Sequence, residues 1–327
     1  MTPPDAATDT ALTFGGTHAP RGRRTDVELP VARLPTGTWM SLPIAVVAGS
    51  APGPTVWISA AIHGDEINGV EICRRVLDTV DPGSLTGTLI AVPVVNVFGF
   101  VEGNRYLPDR RDLNRSFPGS RRGSLASQLA HLLLTEVVDR CELGIDLHTG
   151  SNHRSNLPQI RANLDDARTR ELAAYFGAPF VLHAQTRDGS LRAAATKRGV
   201  RVLLYEAGEA ERFDDDAITV GTRGVLSVLD MLGMTTGLGE HGRDVLEARR
   251  SRWLRSPRGG ILRLGVHLGD TVEHRQTIGV VTDALGVEES VMRSPVPGLV
   301  IGATNHPLVG RGDAVVHIAE EPAPLEI

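Results

Sequence analysis

Apolar residues along the chain fall into runs whose period alternates between that of a strand and that of a helix. Val56–Ile62 is an apolar run with Ser59 its one polar residue, suited to a strand buried on both faces. Glu66–Val80 then carries Ile67, Val70, Cys73 and Leu77 at helical spacing. Thr88–Phe98 reads as the next strand, Leu125–Val138 as a helix with Leu125, Leu129, Leu132 and Val137 on one face, and Leu143–Leu147 as a strand. Asp165–Gly177 predicts a helix closed by Gly177. Strands follow at Pro179–His183 and Val200–Tyr205, with a short helix from Ser190 between them, and Asp214–Leu232 is the last helix. This alternation predicts an α/β domain, its mixed and largely parallel sheet flanked by helices on both faces.

The flanks read differently. Residues 1–24 are rich in Thr, Ala, Pro, Gly and Arg without periodicity, and a mobile N-terminal tail is expected there. Thr25–Ala48 has apolar runs broken by Pro30, Pro35 and Gly37, the pattern of a hairpin on one sheet edge. The catalytic domain is thus expected over 25–236, a linker over 237–255 and a small all-β domain over 256–327. In that last segment GGIL (Gly259–Leu262) and GDTV (Gly269–Val272) are echoed by PGLV (Pro297–Val300) and GDAV (Gly312–Val315). The repeat predicts a sandwich with pseudo-two-fold symmetry that resembles the biotinyl/lipoyl-type hammerhead. Such domains carry their cofactor on a hairpin lysine, and this segment contains no lysine, so cofactor carriage is excluded on chemistry.

Composition narrows the function classes. A net charge of −5 and a pI near 6.1 give no reason to expect nucleic acid as a partner. No stretch approaches the ~20 apolar residues of a membrane span. Met1–Gly16 lacks the basic start and apolar core of a signal peptide, so a cytoplasmic protein is expected. Cys73 and Cys141 lie within apolar segments and read as buried small hydrophobes rather than as a disulfide pair. A homo-oligomer is compatible with the sequence, since closed homo-oligomers are common.

The candidate chemistry sits at predicted strand ends. The run ISAAIHGDEINGVE (Ile58–Glu71) delivers His63 to the end of the first strand, where Gly64 is expected to free the backbone to turn and Asp65 to cap the next helix. Glu66 follows His63 by three residues, so an imidazole nitrogen and a carboxylate oxygen can face one point, a donor pair that suits Zn²⁺. CELGIDLHTG (Cys141–Gly150) supplies a third ligand in His148, again at a strand end. Two His and one Glu leave a fourth position open, which marks a hydrolytic rather than a structural zinc, one per chain. Asp146 points the same way as His148 on a strand and can accept its second ring N–H. Glu206, at the end of VLLYE, can take a proton from water at such a site. Asn114 and Arg115, in the polar arginine-dense loop RYLPDRRDLNRSFPG (Arg105–Gly119), suit recognition of a substrate carboxylate, with Asp109 and Asp112 orienting the arginines. His153, His183, His267, His306 and His317 lack comparable context and read as surface or barrel residues.

HGDE (His63–Glu66), DLNR (Asp112–Arg115), DLHTG (Asp146–Gly150) and EAG (from Glu206) occur in that order, and with them the chain resembles the succinylglutamate desuccinylase/aspartoacylase family of the zinc carboxypeptidase superfamily, from about Val56 to Met231. The resemblance implies zinc on His63, Glu66 and His148, Glu206 as general acid/base, and Asn114 and Arg115 gripping a substrate carboxylate. It also implies an arginine that polarises the scissile carbonyl: Arg105, with Arg110 and Arg111 as alternatives. A further substrate-side arginine of the family has Arg192 or Lys197 near its place. The function so implied is a zinc-dependent amidohydrolase removing the acyl group from a small-molecule N-acyl amino acid or similar carboxylate-bearing amide. A metallocarboxypeptidase acting on peptides is the nearest alternative, and a catalytically inactive zinc- or ligand-binding module the next.

Overall fold

The computed structural model describes residues 12–34, 36–240 and 245–326. It opens on two short antiparallel strands, β1 (Leu12–Phe14) and β2 (Thr17–Ala19). Phe14 and Ala19 are fully buried in a core that includes Val27, Leu29 and Leu133. The tail expected over 1–24 therefore fails from Leu12 onward: two apolar anchors tie down a hairpin of two three-residue strands, too short to show periodicity. Residues 1–11 of that expectation lie outside the described residues.

The expected edge hairpin is β3 (Arg23–Arg33) and β4 (Trp39–Ala48). Then come β5 (Ala51–Ala60), α1 (Asn68–Thr79), β6 (Thr86–Val92), α2 (Val97–Glu102) and α3 (Leu125–Glu136). The predicted strand Thr88–Phe98 stops early because Pro93 has no N–H to give a ladder, and Asn96 caps α2 by accepting from Gly99 N. Next are β7 (Leu143–Gly150), β8 (Arg154–Ala162), α4 (Ala167–Phe176), β9 (Phe180–His183), α5 (Leu191–Lys197), β10 (Arg201–Glu209) and α6 (Asp215–Met231). Ser124, Asp166, Ser190 and Asp214 cap α3 to α6, each accepting from the backbone N–H three residues on, and Gly177 closes α4 at φ 71°.

Four parallel strands, β10-β7-β5-β6, form the centre of the sheet, with β4 antiparallel beyond β6 and β8 antiparallel beyond β10. Period-two alternation divides each strand between two cores. Val56, Ile58 and Ala60, with Leu143, Ile145 and Leu147 and with Leu203, Tyr205 and Ala207, face α1, α4 and α6. Trp57, Ile90, Val92 and Val202 face α3 and α5. Gly69 lets α1 lie close on the sheet: a Cβ there would stand 2.7 Å from the Cβ atoms of Ala60 and Leu147.

The C-terminal part contains β11 (Leu246–Ala248), β12 (Arg250–Arg255), β13 (Gly260–Leu264), β14 (Thr271–Val272), β15 (Thr277–Thr282), β16 (Glu289–Arg293), β17 (Gly298–Thr304), β18 (Leu308–Val309), β19 (Ala314–Glu320) and β20 (Ala323–Pro324). Two sheets, β12-β19-β17 and β16-β15-β13-β18, enclose Val272, Ile278, Val300, Val316, Val281 and Val315, as expected of an all-β sandwich. Two expectations are corrected here. The segment 237–255 contains β11, paired with β9, and β12, the edge of the sandwich; residues 241–244 are outside the described set. The all-β part is also continuous with the catalytic sheet, because β17 pairs antiparallel with β8. Among the described residues no helix is long and apolar enough to cross a membrane.

Candidate active site

The site lies where β5, β7 and β10 end. Beyond β5, Ala61 adopts φ 48° and the chain enters a turn closed by Glu66 N–H donating to the His63 carbonyl, 3.1 Å. That turn, and not a helix, brings His63 and Glu66 to one point. The helix starts later, at Asn68, and its first turn has no side-chain cap, so Asp65 is not the capping residue. Gly64 is required for space rather than for turning: a Cβ would lie 2.0 Å from the carbonyl carbon of Gly99, where α2 crosses the turn. The Asn68 side chain receives Asp214 N at 3.0 Å and donates to the Ala207 carbonyl at 3.3 Å. It ties this turn to the end of β10, the strand that carries Glu206.

Register does the rest. Ser59, Asp146 and Leu204 lie side by side on β5, β7 and β10, and His148 pairs with Glu206 one alternation further. His63, Glu66 and His148 are the one group of His, Cys, Asp or Glu among the described residues whose ligand atoms converge, all within 4.8 Å. Glu66 is buried and lies between the rings: Oε1 is 2.8 Å from His63 Nδ1, and Oε2 is 2.8 Å from His148 Nδ1. The outer nitrogens face carboxylates, His63 Nε2 to Asp112 Oδ1 at 3.2 Å and His148 Nε2 to Asp146 Oδ2 at 2.9 Å. Asp146, fully buried, accepts from Ser59 Oγ at 2.8 Å, and Ser59 Oγ accepts from Trp57 Nε1 at 3.2 Å. Two imidazoles presenting Nδ1, one carboxylate, and a carboxylate behind each ring are the donor set and outer support of a zinc or similar divalent site.

The charges are mutually reinforcing. Burial pushes the Glu66 carboxyl up, but the two rings outweigh it and hold it well below the usual carboxylate range. Burial likewise opposes the charge on His148, yet Asp146 and Glu66 raise it well above the usual imidazole range; His63 is raised in the same way by Glu66 and Asp112. Asp112 is lowered, against its own burial, by His63 and Arg105.

Arg105 is the arginine that the fold brings to this centre. Nη1 donates to Glu66 Oε1 at 3.2 Å and Nη2 to Asp112 Oδ2 at 3.1 Å, while its carbonyl is held by Asn96 Nδ2. Arg110 and Arg111 are exposed and do not line the cavity. Asp112 orients both Arg105 and His63, and Asp109 lies 3.7 Å from Arg111 and receives Ala126 N at the start of α3. Asn114 is buried with Oδ1 accepting from Leu191 N at 2.9 Å, and Arg115 Nη1 donates to the Asn114 carbonyl. Both line the same cavity of about 460 Å³, as do His63, Glu66, His148 and Glu206.

The cavity also holds residues that the sequence did not single out. β8, which gave no periodic signal, contributes Arg154, Asn156 and Arg161. Of the two substrate-side candidates, Arg192 lines the cavity and Lys197 is exposed outside it. Burial and the neighbouring Arg161 lower Arg192 to about 10. The C-terminal sandwich supplies Ser251, Trp253 and His317. His317 is buried, stacks on Trp253 at 4.5 Å between centroids, and is brought down to about 3 by burial and by Arg161. His317 is thus a residue of the all-β part, one of the two places expected for it, and it also lines the cavity, as does His183 at the end of β9. His317 pairs across strands with Trp253, a partner 64 positions away that no local pattern discloses. Cys73 and Cys141 are free and buried, as expected.

The family model of the succinylglutamate desuccinylase/aspartoacylase catalytic domain matches residues 52–232, more than half the chain. The chain belongs to this family. It is 28% identical over 293 residues, 85% of each chain, to the N-alpha-acetyl-L-2,4-diaminobutyric acid deacetylase of Halomonas elongata. Among solved structures it resembles a succinylglutamate desuccinylase/aspartoacylase from Rhodobacter sphaeroides, with a TM-score of 0.82 and 27% identity over 91% of this chain and 95% of that one. The ectoine utilization protein EutE (DoeB) from Ruegeria pomeroyi shares the fold, with a TM-score of 0.83 at 24% identity over 91% of this chain and 95% of that one. The matched region ends where α6 ends, and the coverage of the relatives continues across the sandwich.

Proposed function

We propose that the protein is a zinc-dependent amidohydrolase that removes the acyl group from an N-acyl amino acid or a similar small carboxylate-bearing amide. The observation that carries this reading is the buried His63–Glu66–His148 cluster opening, together with Glu206, into one arginine-lined cavity. The family and the deacetylase from Halomonas elongata support the reaction class. His63, Glu66 and His148 would hold the zinc, which when bound supplies Lewis acidity toward water and the substrate carbonyl.

The remaining steps belong to the chain's own groups. Glu206 accepts a proton as water attacks the amide carbonyl and returns it to the leaving amine, so that a carboxylate and a free amine result. Arg105 donates toward the oxygen on which charge develops. Arg115 and the amide of Asn114, whose carbonyl end is engaged by Leu191 N, hold the substrate carboxylate. Ser251, Trp253 and His317 wall the cavity on the side of the sandwich, which disfavours an extended peptide and therefore the carboxypeptidase reading.

The test is metal content by mass spectrometry on wild type and His63→Ala, with hydrolysis of acetyl-, succinyl- and formyl-amino acids and of a peptide panel on the same samples. Stoichiometric zinc lost with His63, and turnover of one acyl class, is the expected result. Zinc retained by His63→Ala would remove the metal assignment, and activity confined to peptides would remove the deacylase.

A further inference from the structure

We propose that the C-terminal sandwich positions the proton acceptor: Asn156, paired with Gly302 of β17 and lying beside the space that glycine leaves, is a positioning residue that leaves Oε1 of Glu206 as the oxygen that takes the proton. This rests on the reading of Glu206 as general base. Asn156 Nδ2 donates to Glu206 Oε2 at 2.5 Å, and Arg161 Nη2 stands 3.6 Å from the same oxygen. Oε1 has no hydrogen-bond partner among the described residues, and Glu206 lines the cavity. The terminal torsion of a glutamate is broad and nearly two-fold, so an unrestrained carboxylate offers either oxygen over a range of angles. One hydrogen bond and a nearby guanidinium on the same oxygen restrict that freedom and fix which oxygen faces the substrate.

Asn156 is itself held from behind. It is buried on β8, and its strand neighbour on the sandwich side is Gly302. Gly302 is also the cross-strand neighbour of His317 on β19. A Cβ at Gly302 would stand 3.0 Å from Asn156 Oδ1 and 3.2 Å from the His317 Cβ. The space left by this glycine is therefore shared by the two residues, and any side chain at position 302 would press on the Oδ1 end of the carboxamide. Donation to a carboxylate fixes Nδ2 toward Glu206, and the other end of the carboxamide lies beside the space that Gly302 leaves free. The sandwich is thereby part of the catalytic apparatus, through Gly302, Asn156 and Glu206, and not only a wall.

The experiment compares zinc-loaded wild type with Asn156→Asp, Gly302→Ala, their double variant and Glu206→Gln, using the acetyl-, succinyl- or formyl-amino acid that wild type hydrolyses fastest. Asn156→Asp keeps the shape and replaces the donor by an acceptor. It is expected to lower kcat by about 10- to 100-fold, the worth of a hydrogen bond to a charged group, with KM and zinc content unchanged. Gly302→Ala displaces the carboxamide by a few tenths of an ångström and is expected to lower kcat by about three- to tenfold. In the Asn156→Asp background Gly302→Ala should have little further effect, because both act on one contact. Wild-type kcat in Asn156→Asp, a change in KM alone, or full additivity of the two substitutions would overturn the inference. If Glu206→Gln is inactive while the other two are wild-type in kcat, the positioning role alone falls. If Glu206→Gln turns over normally, the general-base reading falls first and this inference with it.

Discussion

Zinc should bind this protein by displacing protons, and the geometry fixes how many. Each imidazole has a carboxylate at both nitrogens: Glu66 and Asp112 around His63, Glu66 and Asp146 around His148. Only an imidazolium can donate from both, which is why the two rings are raised despite their burial. A metal ligand must be neutral at the coordinating nitrogen, so each ring has to lose its Nδ1 proton while keeping the Nε2–H directed at its outer carboxylate. Below both pKa values binding therefore releases about two protons, and log affinity rises by about two per pH unit, or about 1.4 kcal/mol per proton and unit. The two charged rings repel, with centroids 5.1 Å apart, and His148 is the more firmly held, since its outer carboxylate Asp146 is fully buried at 2.9 Å while Asp112, 3.2 Å from His63, is shared with Arg105. His63 is expected to lose its proton first as pH rises, so the release falls from about two toward one before it vanishes.

The assay is calorimetric titration of zinc into the chelator-treated protein at several pH values between about 6 and 8, in buffers of different ionisation enthalpy, so that proton release is read directly. Asp146→Asn is the internal control. It removes the carboxylate that keeps His148 charged, so it should lower the proton release by up to one and weaken zinc about 10- to 100-fold. Proton release near zero across the range would mean that the rings are neutral without metal, and the account of the paired carboxylates would be wrong.

Three further outcomes follow from single residues. Arg115→Lys should raise KM for an N-acyl amino acid about tenfold with a smaller change in kcat, because an ammonium cannot make the bidentate contact; an unchanged KM in steady-state assays would remove Arg115 from carboxylate recognition. Gly64→Ala should destabilise the protein by about 3 kcal/mol or more and lower its zinc content, since the new Cβ meets backbone atoms at 2.0 and 2.2 Å; a wild-type thermal midpoint would contradict the packing argument. His317 is neutral in the folded protein down to about 3, so between its ordinary 6.5 and that value the unfolded chain binds a proton there that the native one does not. Stability should fall as pH falls through that window, and His317→Gln should reduce the slope of denaturant-derived stability against pH by about one proton.

What the sequence disclosed and what it hid divide along physical lines. Helices and caps were legible, because the signals at Ser190, Asp214 and Gly177 are local and their geometry depends on three or four consecutive residues. The convergence of His63, Glu66 and His148 was legible because both histidines end apolar runs, and a buried strand must deliver its last residue to the edge of a sheet. The helix start was misplaced by two residues, since a turn and a helical first turn give His63 and Glu66 the same spacing. β8 was invisible: its RSNLPQIRA has neither an apolar run nor clean alternation, and its strand form comes from neighbours on both sides, β10 on one and β17 then β9 on the other. That strand carries Asn156 and Arg161, so the part of the site that steers Glu206 was hidden with it.

The same reasoning explains why the sandwich read as an appendage. Its hydrogen bonds to the catalytic sheet run through Gly302, Ala303 and Thr304 against Asn156, Ser155 and Arg154, residues whose pairing spans about half the chain and leaves no local trace. A sheet ladder, unlike a flexible linker, transmits position, because a shift of one residue in register would turn every side chain on β8 to the opposite face. Arg154 and Asn156 face the cavity in the register that β17 and β10 enforce, and Arg161, beyond a register shift in the β8–β10 ladder, in the register that β10 and β9 enforce. The sandwich thus bears on the site through the first residues of β8: without β17 the Arg154–Asn156 end of the strand would lie unpaired on that side, while β9 still pairs Gln159–Ala162, and Asn156 is the one hydrogen-bond donor to Glu206 among the described residues.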